Sequence, residues 1–108
     1  MTTAEEREAF YDEEIAPALR EIARKCEQHG LSFLAICEWE PGDYGRALLQ
    51  QPSASPAFRL TNIAAKSEGN ADVLINSIIE YGRRYGHDSI HLAAFGVPTT
   101  PQPDDNGG

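Results

Sequence analysis

The sequence has no long apolar run. None of its 108 residues falls in a stretch near the roughly 18 consecutive apolar residues that a membrane-spanning helix needs. The first ten residues, MTTAEEREAF, are acidic and lack the apolar segment of a secretory leader. Cysteine is scarce. Cys26 and Cys37 are too few for a disulfide framework, and both fall at apolar positions. Two free, buried thiols in a reducing cytoplasm are the simplest expectation, with a Cys26–Cys37 disulfide as the alternative. Basic side chains are also few: 9 Lys and Arg stand against 17 Asp and Glu, a net charge of -8. Binding to a phosphate backbone relies on Lys and Arg, so direct nucleic-acid binding is not expected. A basic protein partner is compatible with the charge, as is mere solubility. The segment GDYGR lacks the glycine spacing of a phosphate loop, and no cofactor motif is present. No cofactor is expected.

The chain does hold a regular local grammar. With 41% hydrophobic and 24% charged residues it is an ordinary globular composition. One domain over residues 1–97 is the expectation. Residues 98–108, PTTPQPDDNGG, carry three prolines and no large apolar side chain, and read as a disordered tail. Thr3 and Glu6 form a capping-box pattern that opens a helix. Tyr11, Ile15, Leu19, Ile22 and Cys26 recur at steps of four, four, three and four, one face of that helix. Pro17 interrupts it in phase, which predicts a near-continuous helix kinked near Glu13. Gly30 ends it. Phe33, Ala35, Cys37 and Trp39 alternate with Leu34 and Ile36, which predicts a strand buried on both faces. Pro41-Gly42 turns the chain. Residues 46–51 fit a returning hairpin strand or a helical turn equally.

Ser55 and Pro56 read as an N-cap and first helical position, and Gly69 stops that helix. Asn70 caps the next, with Leu74, Ile78, Tyr81 and Tyr85 as its stripe, and Gly86 stops it. SIHLAAFGV, residues 89–97, reads as a strand, with a short helix capped by Asp88 as the competitor. Paired with the first strand across the intervening helices it would be parallel. The fold class is therefore α+β and predominantly helical: a long N-terminal helix, a short buried strand, two central helices, and a short C-terminal strand or helix. The small sheet is completed by a hairpin or by a dimer.

Several residues invite a chemical reading. Cys26 with His29, and His87 with His91, are spaced as pairs of zinc ligands. Helix capping and exposure explain the same residues without a metal, and no metal site is assigned. Cys26 lies at the wrong end of a helix dipole for a thiolate, and Cys37 lies in an apolar strand. Glu38 and Glu40 could pair as acid and base, though a solvated strand end accounts for them. Arg83-Arg84 reads as a solvent-exposed pair. No catalytic residue is assigned. The partner-binding candidates are Trp39, Glu40, Asp43, Tyr44 and Arg46, because aromatic and arginine side chains beside charges are the usual anchors of interfaces. Glu5, Glu6, Glu8, Asp12 and Glu13 could mimic nucleic acid, but Arg7 breaks the row.

The segments EIAPALREIARKCEQHGLSF and EWEPGDYGR, with YGHDSI ahead of GVP, resemble small accessory proteins encoded by tailed bacteriophages and prophages. The resemblance implies an intracellular protein that binds a host or phage protein. It brings no catalytic residues. The resulting expectation is a non-enzymatic protein-binding accessory protein, a modulator or inhibitor of a host defence protein. The alternatives are a structural homodimer or larger homo-oligomer, and a small metal-binding protein or enzyme.

Overall fold

The computed structural model describes residues 2–102. Its contacts group the chain into two compact units, residues 1–62 and 63–108, and the boundary falls inside a helix.

The first unit opens with α1 (Ala4–Phe10), which runs without a break through a π-helical turn (Tyr11–Ile15) into α2 (Ala16–Gln28). The Thr3 hydroxyl oxygen accepts the Glu6 N–H at 3.1 Å, and the same hydroxyl donates to the Glu6 carboxylate at 3.2 Å. Such a cap is worth about 1 kcal/mol. The π turn is how this helix passes Pro17. Proline lacks an N–H, and its ring presses on the carbonyl four residues back, that of Glu13. The Ala16 N–H reaches five residues back, to the Tyr11 carbonyl. This widened turn absorbs the misfit inside a continuous helix. At the other end Gly30 (φ +69°) carries the left-handed cap. Its N–H donates to the Glu27 carbonyl at 3.2 Å, and the Leu31 N–H donates to the Cys26 carbonyl at 2.8 Å, the paired bonds of a Schellman ending.

Two antiparallel strands follow, β1 (Phe33–Glu40) and β2 (Asp43–Leu49), joined at Pro41-Gly42. Residues 46–49 thus belong to the returning strand. Phe33 faces Leu49, Ala35 faces Ala47 and Cys37 faces Gly45. The register shifts between Glu38 and Glu40, so Trp39 is the extra residue of a bulge. The N-terminal helix packs on the sheet. It covers only the face of Cys37 and Gly45. On the other face Ile36 is 49% exposed and Glu38 is exposed. That face is therefore open around Ile36 and Glu38, while Leu34, Tyr44 and Leu48 on it are half-buried, so the strand is less covered on this side than on the helix side. Helix α3 (Pro56–Lys66) starts at Ser55, whose hydroxyl accepts the Phe58 N–H at 3.2 Å.

The second unit holds the end of α3, then α4 (Ala71–Tyr85) and α5 (Ile90–Ala94). Asn70 caps α4 through the Val73 N–H at 3.0 Å. The segment expected as a strand, residues 89–97, forms α5 instead. Ser89, not Asp88, is its cap, accepting the Leu92 N–H at 3.2 Å. The parallel pairing falls with it: the only ladder among the described residues is the β1–β2 hairpin. Alternation alone could not separate these outcomes over so short a run. Residues of the expected tail bond to α4 and its end. The His87 N–H donates to the Thr99 carbonyl at 3.0 Å, and the Gln102 N–H to the Arg83 carbonyl at 2.8 Å. The remainder of that stretch, 103–108, lies outside the described residues.

The apolar core is small. Among the described residues, the buried hydrophobic positions are Ala65 and Val97, and no large side chain is fully enclosed. No helix among the described residues is long and apolar enough to cross a membrane.

Candidate functional site

An open cleft of about 480 Å³ lies in the first unit, between the start of the helix and the hairpin. Its apolar lining comes from Phe10, Tyr11, Ile15, Cys37 and Trp39, and its polar edge from Thr2, Glu6, Arg7 and Glu38. Helical spacing brings Arg7, Tyr11 and Ile15 to one stripe, with Phe10 beside it. The sheet supplies Cys37 and Trp39.

Two local features build this wall. The first is the absence of a side chain at Gly45. Tyr11 lies so close over the sheet that a Cβ at Gly45 would overlap its phenol ring. The ring then meets Trp39, with centroids 5.0 Å apart at 37°. Such a tilted pair contributes about 0.5–1.5 kcal/mol beyond its buried area. The second feature is the bulge, which takes Trp39 out of the ladder. Its carbonyl accepts Arg7 Nε–H at 2.7 Å instead. Arg7 also donates from Nη1 to the Thr2 carbonyl at 2.7 Å. The guanidinium therefore ties the helix start to the strand end.

Of the partner-binding candidates, Trp39 is half-buried on the helix side. Tyr44 pairs across the ladder with Glu38, and Arg46 with Ile36, which places both on the opposite face from Gly45. Glu40 and Asp43 are exposed beside the turn and pair with each other. The sheet thus separates Trp39 from Tyr44 and Arg46. The bulge also breaks the alternation that would set Glu38 and Glu40 side by side. The cleft instead brings Trp39 together with Phe10, Tyr11, Arg7 and Cys37. Sequence reasoning did not mark these four as site residues. The available signal was Phe10, a large apolar residue just off the helix stripe and hence without a place in its seam. It is 57% exposed.

The metal-ligand spacings lead elsewhere. Cys26 and His29 belong to the first unit, His87 and His91 to the second. Among the described residues, no group of three or more His, Cys, Asp or Glu side chains converges as metal ligands do. His87 uses both ring nitrogens within its own unit. Nδ1 accepts the Ser89 N–H at 3.0 Å, and Nε2 meets the Val97 carbonyl at 3.0 Å. A carbonyl only accepts, so Nε2 is the donor of that contact and Nδ1 the acceptor of the other. Both cysteines are free and half-buried.

No known protein family, no characterised protein and no solved structure matches this chain significantly. The site must therefore be read from its own chemistry. The cleft lining contains no histidine, so the Cys37 thiol has no imidazole beside it there to serve as a base. What the cleft offers is apolar and aromatic surface under a carboxylate edge. Its volume lies within the roughly 300–1,000 Å³ of ordinary ligand pockets. The charge around it has one sign. From Thr2 to Leu19 the chain has six carboxylates and a single basic side chain, Arg7.

Proposed function

We propose that this chain is a non-enzymatic accessory protein that binds another protein, with the cleft between the N-terminal helix and the hairpin as its contact surface. The observation that carries this reading is Phe10, 57% exposed at the mouth of an open cleft whose wall is the Tyr11–Trp39 pair. Aromatic side chains around a partly open apolar depression are the usual anchors of protein interfaces. Glu40 and Asp43 extend the surface beside the turn, whereas Tyr44 and Arg46 lie on the other face of the sheet and outside it. The resemblance to phage proteins favours a host protein as the target and modulation as the outcome.

A photo-crosslinking residue placed at Phe10, with a second variant carrying it at the exposed Ala18, tests this in cells. The expected result is a discrete heterologous adduct from position 10 and none from position 18. Identical products from both positions, or none from position 10, would remove the basis for the reading. A second reading is self-assembly, favoured by the two-stranded sheet and its exposed Ile36. A crosslinked product at twice the chain's own mass, with a dimer in light scattering, would decide for it.

A further inference from the structure

We infer that the segment entering this cleft is basic: a short stretch of a partner protein that carries bulky apolar side chains next to lysines or arginines. The inference rests on the protein-binding reading and names the chemistry of the partner at that same site. Size comes first. A cavity of about 150 Å³ holds a benzene ring, so 480 Å³ accommodates more than one large side chain. The apolar half of the recognition is supplied by Phe10, Ile15 and the Tyr11–Trp39 pair.

Charge decides the rest. Glu6 is part of the cleft edge, whereas Glu38 borders the cleft from the opposite face of the sheet, where its carboxylate accepts the Gly42 N–H at 3.4 Å. Glu6 and Glu14 stand four residues before and after Phe10, so they flank it along the helix. Among the described residues of the edge the one cation is Arg7, directed onto the carbonyls of Thr2 and Trp39. These bonds fix its position, and its single charge offsets only one of the six carboxylates between Thr2 and Leu19. An acidic segment would meet these carboxylates as like charges. A neutral one would leave them without ionic partners. A basic segment satisfies them, and its cations can also lie over the Trp39 ring. The same carboxylates disfavour a phosphate backbone as occupant.

Trp39 is the single tryptophan of the chain, so it reports on its own cleft. The test follows its emission in the full-length protein on titration with three probes. These are a tryptophan-free Lys/Leu/Phe peptide, its counterpart with Glu for Lys, and the dye anilinonaphthalene sulfonate. The expected result is a saturable change with the basic peptide that weakens as salt rises, and none with the acidic one. Phe10→Ser should weaken the basic peptide about tenfold or more, the loss typical of an interface anchor. Phe10 is exposed, so this variant should keep the wild-type melting temperature. Glu6→Gln, which keeps a capping side chain at that position, should weaken the same peptide and flatten its salt dependence.

Equal binding of both peptides, still dependent on Phe10, would overturn the basic chemistry and leave the protein-binding reading standing. No response to either peptide, or a response to the basic one that Phe10→Ser does not change, would overturn the inference. So would Phe10-dependent dye binding that the basic peptide fails to displace, since the cleft would then serve a small apolar molecule. Failure of the protein-binding reading itself shows separately, in the crosslinking from position 10.

Discussion

In residues 1–62 a helix lies on a hairpin, and the contact is made by rings resting on a glycine. In the second unit, residues 97–102 are tied back to α4 and the turn after it by hydrogen bonds through Val97, Thr99, Gln102 and the His87 ring. The first arrangement packs side chains against a two-stranded sheet and leaves a cleft beside the Tyr11–Trp39 contact. The second matches donors to acceptors one by one. That difference bears on function. Apolar surface left over from packing remains available to a partner, whereas a polar group that has found its acceptor inside the fold is spent. His87 looks like a metal ligand by spacing and is occupied on both nitrogens. Phe10 has no place in the helix seam and is 57% exposed.

The sharpest way to break this contrast is Gly86→Ala. Gly86 has φ +81° and ψ 170°, a region almost confined to glycine. A Cβ there would also lie 2.9 Å from the Thr99 carbonyl oxygen and 3.1 Å from Pro101 Cδ. Backbone strain and overpacking together should cost about 3 kcal/mol. Urea denaturation measures the loss, and amide exchange at His87 and Gln102 should speed up as the C-terminal segment is displaced. An unchanged midpoint with unchanged protection would mean that this segment is not held as described.

Gly45→Ala asks the matching question of the first unit. The added methyl meets the Tyr11 ring, and the forced repacking should cost about 2 kcal/mol. Trp39 emission should shift as its partner moves away. In a Tyr11→Ala background the same substitution should be nearly free, a coupling that a double-mutant cycle reads directly. Equal costs in both backgrounds would sink the close-approach explanation. Next in size is His87→Ala. It leaves the Ser89 N–H and the Val97 carbonyl without the ring, and should cost about 1.5 kcal/mol in thermal or urea denaturation. A neutral result would show that neither bond contributes.

The smallest effect concerns the surface of α2. Arg24 holds both carboxylate oxygens of Glu21, and its hydrogen bonds lower the Glu21 carboxyl below the usual glutamate range, helped by the nearby charges of Arg24 and Lys25. A lowered folded-state value means that the pair's contribution is complete above the ordinary glutamate value. It is lost as pH falls through the lowered one. An NMR titration of the Glu21 side chain should show its midpoint rise toward the ordinary value in Arg24→Gln. Both side chains are exposed, so the melting temperature should barely move. No rise in the midpoint would contradict the ion pair.

Much of the fold is legible along the chain because helix signals are local. The caps at Thr3, Ser55 and Asn70 each act on an N–H three residues away. Pro17 disturbs its own helix near the carbonyl it opposes. The hairpin at Pro41-Gly42 was open only as to whether residues 46–51 returned as strand. Residues 89–97 stayed open between strand and helix, with strand preferred, because apolar alternation over a few residues also fits one face of a short helix; the helix Ile90–Ala94 is what forms. The candidate site was half legible. Trp39 stood out as an aromatic beside charges. That Tyr44 and Arg46 lie across the sheet from it depends on the register, and the register shift at the bulge is a property of two strands together.

By itself, then, the sequence determined the N-terminal helix through Pro17 and the two central helices with their caps at Thr3, Ser55 and Asn70, since these depend on residues within one turn of each other, but it left α5 open between strand and helix. It also determined the acidic charge of the N-terminal segment. Only the tertiary structure decided that one face of the sheet is covered, that Gly45 admits the Tyr11 ring, and that Phe10 borders a cleft. Each of those needs two elements, the N-terminal helix and the hairpin, at contact distance, and no periodicity within either one encodes the gap left between them.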